Sequence, residues 1–203
     1  MNPNLIEIKP DDYFIIDMMY ASLKNNMTGV AVYQDIGIGN RAFVHKDLWK
    51  KLQQLIPYLK ENKLKIKICD AYRPPLAHAK MKEIIPQPGF FASQPERSLH
   101  CHGTAIDVCL CDIYGNELIY PTKVDAFDNF YAKQVQEGNL APFFEYLQEA
   151  HHDYVCASRQ ALTNREELKK LMESIGLEAI SNEWWHYELP EGRSEKYPMI
   201  EYP

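Results

Sequence analysis

Ala105–Tyr120 reads AIDVCLCDIYGNELIY, two apolar runs on either side of a Tyr-Gly-Asn turn. Runs of this kind flanking turn-forming residues favour adjacent strands joined in a hairpin. Leu64–Asp70 (LKIKICD) alternates, with Leu64, Ile66 and Ile68 on one face and Lys65 and Lys67 on the other. That is the period of a half-buried strand, and it puts Asp70 on the apolar parity. Glu183–Leu189 (EWWHYEL) reads as a further strand rich in aromatics. Two segments have helical spacing instead. Asp47–Lys60 (DLWKKLQQLIPYLK) places Leu48, Leu52, Leu55, Ile56 and Leu59 on one face, with Pro57 as a kink. Thr163–Glu166 has the capping-box pattern, and Leu168, Leu171, Met172 and Ile175 continue it to Gly176. Strands in neighbouring hairpins with helices grouped elsewhere predict an α+β fold, a small antiparallel sheet with flanking helices, rather than alternating βαβ units.

No repeat, low-complexity tract or Ser/Gly-rich linker interrupts the 203 residues, so residues 1–203 are expected to form a single domain. The hydrophobic fraction of 46% suffices for a substantial core. A net charge of −6 argues against a surface that tracks nucleic-acid phosphates, and no apolar run is long enough to span a bilayer. The opening residues MNPNLIEIKPDDYF lack a basic stretch followed by an apolar one. Cys69, Cys101, Cys109, Cys111 and Cys156 are odd in number and form no CxxC pair, which suits free thiols in a reducing compartment. A cytoplasmic protein is the expectation.

The chemistry concentrates in three segments. Ser98–Asp107 (SLHCHGTAID) packs His100, Cys101, His102 and Asp107 into ten residues. Two ligands of one zinc ion lie within roughly 4 Å of each other. An extended chain from His100 to Asp107 would separate them by roughly 23 Å, and a helix by about 10 Å. The chain must therefore fold back, and Gly103 can take the backbone angles this needs. Beyond the turn, Ala105, Asp107 and Cys109 share one strand face, with Ile106, Val108 and Leu110 on the other. The alternative is a polar loop followed by a buried, hydrogen-bonded carboxylate. A thiolate site from Cys101, Cys109 and Cys111 is disfavoured by their spacing, and small buried hydrophobes explain them.

Glu183-Trp-Trp-His186 supplies an imidazole and a carboxylate three residues apart between large apolar rings. A Glu beside a ligand His can take a proton from an activated water. An aromatic core strand with a surface Glu is the competing reading. Asp70-Ala-Tyr-Arg73-Pro-Pro ends a strand in a stiff loop, from which Arg73 could present donors to a developing oxyanion or pair with a surface carboxylate. Taken together, the three segments provide metal ligands, a base and an oxyanion cation, a complete hydrolytic set.

These segments carry a resemblance. SLHCHGTAID fits SxHxxGxAxD and EWWH fits ExxH, the paired signature of zinc D,D-peptidases. Tyr20–Tyr33 (YASLKNNMTGVAVY), Asp70–Pro74 (DAYRP) and Asn164–Leu189 resemble the corresponding segments of D-alanyl-D-alanine dipeptidases of the vancomycin-resistance type. The resemblance implies one zinc ion per chain on His100, Asp107 and His186, with Cys101 and His102 at variable positions. It further implies Glu183 as catalytic base, Arg73 as transition-state cation, and Ser98, Tyr20 and Tyr33 as substrate contacts. Asp128 corresponds to the aspartate that meets the substrate ammonium. The chain departs from the family there, reading KVDAFD where MGTxFD is usual, and Asp125 is the alternative. The implied substrate is a small D,D-dipeptide, with no nucleic-acid or membrane partner and a homo-oligomer left open. The rival readings are a D,D-carboxypeptidase or murein endopeptidase sharing the signature, and a non-catalytic zinc-binding domain. The latter would require neither Glu183 nor Arg73.

Overall fold

The computed structural model describes residues 2–86, 90–125, 134 and 137–201. Five strands form a mixed sheet in the order β2 (Phe14–Ile16), β4 (Leu64–Asp70), β5 (Ala105–Asp112), β7 (His186–Glu188), β6 (Glu178–Ala179). A separate antiparallel pair joins β1 (Leu5–Ile8) to β3 (Ala42–His45). Among the described residues the α-helices described in full are α1 (Val32–Asp35), α2 (Lys46–Leu52), α3 (Ile56–Asn62), α4 (Pro75–Ile84), α5 (Ala141–Ala150) and α6 (Arg159–Ser174). This is the expected α+β class, with one departure. β2 runs parallel to β4, while the pairings β4–β5, β5–β7 and β6–β7 are antiparallel. The long excursion between β2 and β4, through α1, β3, α2 and α3, is what a parallel connection needs.

Register places the candidate site residues. Asp107 on β5 lies opposite His186 on β7 and, across the other edge, opposite Asp70 on β4. The second pairing depends on an irregularity between Ile68 and Asp70. Ile68 pairs with Val108, so an unbroken ladder would set Cys69 beside Asp107 and leave Asp70 on the apolar face. The inserted residue shifts Asp70 to the face of Asp107, overriding the parity expected from LKIKICD.

Other local expectations are modified by specific contacts. The helical segment around Pro57 breaks into α2, a 3-10 turn at Gln53–Leu55, and α3, with Pro57 in the first turn of α3, where a missing N–H costs nothing. α6 begins before the capping box. Ser158 caps it by accepting from the Ala161 amide (3.2 Å), and Thr163 lies inside the helix, its hydroxyl donating to the Arg159 carbonyl (3.0 Å). It ends as expected at Gly176, which has φ +73°. Of the predicted hairpin, β5 forms fully, while the return segment is reduced to one bridge, Cys111 to Glu117. Asp112 explains the tightness of this turn, since its carboxylate accepts from the amides of Tyr114 and Asn116 (2.9 Å each). In EWWHYEL only His186–Glu188 is strand, and Glu183–Trp185 form a turn.

Gly103 ends a 3-10 turn at Leu99–His102 with φ +69°, and its carbonyl accepts from the His45 amide (2.7 Å). A Cβ there would meet Leu5 Cδ2 at 3.0 Å and the His45 nitrogen at 3.1 Å. Gly103→Ala is therefore expected to destabilise the protein by about 1–3 kcal/mol, the cost of a strained backbone with no room to relax. Urea unfolding of the two proteins checks this, with an unchanged midpoint counting against the account.

Candidate metal centre and active site

Several chain segments converge on one cavity of about 190 Å³, whose wall includes Tyr20, Arg73, Ser98, His100, Asp107, Asp125, Glu183 and His186. The turn before β5 delivers His100, β5 delivers Asp107, and β7 delivers His186. His186 Nδ1 lies 2.9 Å from Asp107 Oδ1 and 3.3 Å from His100 Nε2, and His100 Nε2 lies 3.5 Å from Asp107 Oδ2. Ligand atoms on a tetrahedral ion with ~2.0 Å bonds stand about 3.3 Å apart. Among the described residues these three form the only group of His, Cys, Asp and Glu whose donor atoms come within 4.8 Å of one another. All three are buried.

The outer nitrogens support the same assignment. His100 Nδ1 is held 2.8 Å from the Ala71 carbonyl, so Nε2 is left for the centre. His186 uses Nδ1 there, with Nε2 3.1 Å from Glu188 Oε2. Fixed outer partners of this kind are what orient ligating imidazoles. Electrostatics agrees as well. Burial opposes a charged His186, yet its hydrogen bonds to Asp107 and Glu188 outweigh that and raise its pKa. Burial likewise pushes Asp107 up, and the two imidazoles override it and bring the carboxyl far down. The pocket thus favours positive charge between these three side chains, and their donors suit a divalent cation.

Glu183 Oε2 is 3.9 Å from His186 Nδ1. In a continuous strand, residues three apart would point to opposite faces. The turn at Glu183–Trp185, closed by the His186 amide donating to the Glu183 carbonyl (3.2 Å), is what aims both into the cavity. It is anchored by apolar rings. Trp184 stacks on Tyr120 at 4.1 Å, its indole N–H donates to Thr122 (2.8 Å), and Trp184 and Trp185 are both buried. Burial raises the Glu183 pKa.

Arg73 follows the β4 bulge. Its Nε and Nη2 donate to Asp70 Oδ2 (3.1 and 2.6 Å), and its guanidinium lies over the rings of Tyr20 (5.3 Å) and Phe91 (5.5 Å). The Arg73 amide donates to the His100 carbonyl (3.0 Å), tying the cation to His100. Tyr20 reaches the cavity and donates to Asp125 Oδ2 (2.9 Å). Burial, with Asp107 and Glu183 nearby, pushes the Asp125 carboxyl up. Ser98 is buried in the cavity wall. Tyr33 sits behind it, donating to Asp70 Oδ1 (2.6 Å). Asp128 lies outside the described residues.

His102 and Cys101 serve other ends. Both ring nitrogens of His102 face backbone carbonyls, of Tyr197 (2.7 Å) and Glu96 (3.0 Å), and burial pushes the Cys101 thiol up to about 12. Two contributors escaped the reading of the sequence. Asp70 was masked by its apolar parity. Glu188 could have been found, because it alternates with His186 on the same strand face.

Residues 5–201 match the profile of the Peptidase_M15 family, described as D-ala-D-ala dipeptidase. The chain belongs to this family. It is 32% identical over 186 residues to the D-alanyl-D-alanine dipeptidase of Escherichia coli K12, covering 91% of this chain and 82% of that protein. It is also 32% identical over 111 residues to the D-alanyl-D-alanine dipeptidase of Enterococcus faecium, covering 54% of this chain and 43% of the relative. As a member of the family, the protein is a peptidase, and no helix among the described residues is long and apolar enough to cross a membrane.

Divalent metal is expected to bind one ion per chain in the unmodified protein and in His102→Ala, and to be lost from His100→Ala and His186→Ala. Metal content after exhaustive dialysis decides this, and stoichiometric metal retained by His186→Ala would sink the assignment.

Proposed function

We propose that the protein is a zinc-dependent dipeptidase that hydrolyses D-Ala-D-Ala to two molecules of D-alanine. The observation that carries the reading is the donor triangle of His100, Asp107 and His186, with Glu183 3.9 Å from His186, inside a small cavity of a chain from this peptidase family. Two imidazoles and one carboxylate, with no thiolate, are a donor set suited to a catalytic zinc that keeps an open position. Zinc bound there supplies Lewis acidity, polarising the scissile carbonyl and lowering the pKa of a water to around 7.

The chain's own groups do the rest. Glu183 accepts the proton of the attacking water and passes it to the leaving amine, and its raised pKa suits a group that must both take and return a proton. Arg73, locked by Asp70, stands ready for the oxyanion. Ser98 meets the substrate carboxylate. Asp128, or Asp125 with Tyr20 in its place, meets the substrate ammonium. A cation arriving beside Asp125 would relieve the crowding of its carboxyl by Asp107 and Glu183. The proposal also takes residues 1–203 as one domain working in the cytoplasm, supported by five cysteines that form no disulfide.

Glu183→Gln is expected to keep its zinc and lose at least ~10²-fold in kcat, since the amide preserves shape and accepts no proton. Steady-state kinetics of the zinc-loaded variant measures this, and an unchanged kcat would remove Glu183 as the base. A second expectation concerns the substrate's amino end. An N-acetyl group removes the ammonium and leaves a buried carboxylate unpaired, so kcat/KM for N-acetyl-D-Ala-D-Ala should fall by on the order of 10³-fold or more. Equal specificity constants for the free and acetylated dipeptides would favour a carboxypeptidase.

A further inference from the structure

His186 has two ring nitrogens, and both are committed. Nδ1 faces Asp107 Oδ1 at 2.9 Å and His100 Nε2 at 3.3 Å, while Nε2 faces Glu188 Oε2 at 3.1 Å. His186 and Glu188 are two residues apart on β7, so their side chains leave the same face of the sheet. The residue opposite Glu188 on β5 is Ala105, whose methyl group leaves the space that the glutamate fills. Glu188 also reaches the wall of the cavity, and its side chain is only 19% exposed. The two histidines of the centre therefore have unlike outer partners. His100 turns its Nδ1 to a neutral carbonyl, that of Ala71 at 2.8 Å, held by the backbone. His186 turns its Nε2 to a carboxylate that a single substitution can remove.

We propose that Glu188 is a positioning residue for His186, its carboxylate accepting the Nε2 proton and thereby holding the ring with Nδ1 toward the metal. The proposal rests on the metal-centre reading given above. An imidazole that binds through Nδ1 carries its proton on Nε2, and an acceptor there fixes both the tautomer and the ring's rotation. An anionic acceptor also strengthens Nδ1 as a donor. Without Glu188, the Nε2 proton would turn to water at the cavity edge and the ring would be free to rotate away.

The test is zinc affinity, measured by competition with a chromophoric chelator, together with the visible spectrum of the cobalt-substituted protein. Glu188→Ala is expected to raise the zinc Kd by about 10- to 100-fold and to alter the cobalt spectrum, the range seen when an outer partner of a ligand is lost. Glu188→Gln keeps an oxygen that can accept from Nε2, so its Kd should return to within about fivefold of the unmodified protein, with the original spectrum. A general weakening of the fold would not be rescued in this way. If circular dichroism shows Glu188→Ala to be unfolded, Glu188→Leu, which keeps bulk without an acceptor, carries the same expectation. The proposal is overturned if the variant without an acceptor binds zinc within twofold of the unmodified protein. It is equally overturned if the Gln variant is as weak as the Ala variant, because the loss would then follow charge rather than an acceptor on Nε2. Failure of the unmodified protein to take up zinc would overturn the metal-centre reading itself.

Discussion

Asp70 and Asp107 are cross-strand neighbours on β4 and β5, and two like charges placed opposite each other on a sheet repel. Much of the site's construction answers that repulsion. Asp70 is fully buried and is met by the Arg73 guanidinium, the Tyr33 hydroxyl and the Ala71 amide, the last at 2.9 Å. Asp107 is met from the other side by His100 and His186. The two carboxylates thus have separate counter-charges. One takes a permanent cation, the guanidinium, and the other takes the two imidazoles of the candidate metal centre. Breaking either partnership would leave a buried anion unpaired, the costly outcome for a charge in a protein interior.

The apolar surroundings set the strength of these interactions. Trp184, Trp185, Tyr72 and Tyr187 are among the largest fully buried side chains, and the strand bearing Asp107 is buried along nearly its whole length. Removing water lowers the local dielectric and magnifies both attraction and repulsion. This is why the carboxyls of Glu183 and Asp125, facing the same cavity with no imidazole or guanidinium at hydrogen-bond distance, are pushed upward while Asp107 is pulled down. One cavity therefore holds carboxylates tuned in opposite directions, the separation that the proposed roles of ligand and proton carrier call for.

Much of this was legible in the sequence. The alternation of LKIKICD, the period of α6 and its stop at Gly176 depend on local spacing, and local spacing survives into the structure. His100, Asp107, His186 and Glu183 were named by motif, and the fold brings them together. The unreadable parts were those decided by contacts distant in sequence or by a single inserted residue. The bulge that turns Asp70 toward Asp107 leaves no trace in the alternation. Thr163 looked like a cap because its neighbours fit the box, but Ser158, one turn earlier, takes that place. The Glu183–Trp185 turn is held by the Trp184 amide donating to Ala150 (3.0 Å) and the Trp185 carbonyl accepting from Val108 (3.0 Å), and neither partner is near in the chain. Tyr33 belongs with these cases. Nothing in its motif position announced that its hydroxyl braces Asp70.

That bracing has a consequence for Arg73. A free arginine side chain samples many rotamers, and freezing it during reaction would cost entropy in the transition state. Here the freezing is done in advance. Tyr33 fixes one oxygen of Asp70, the other oxygen receives Nε and Nη2 of Arg73, and the rings of Tyr20 and Phe91 pack against the guanidinium. Arg73 held in this way lines the cavity. Because the Arg73 amide also holds the His100 carbonyl, and His100 Nδ1 lies 3.7 Å from Asp70 Oδ2, the cation cannot shift without disturbing His100. Donors held in place beforehand need no reorganisation when charge develops beside them, and this is the advantage the arrangement would give Arg73 in the role proposed for it.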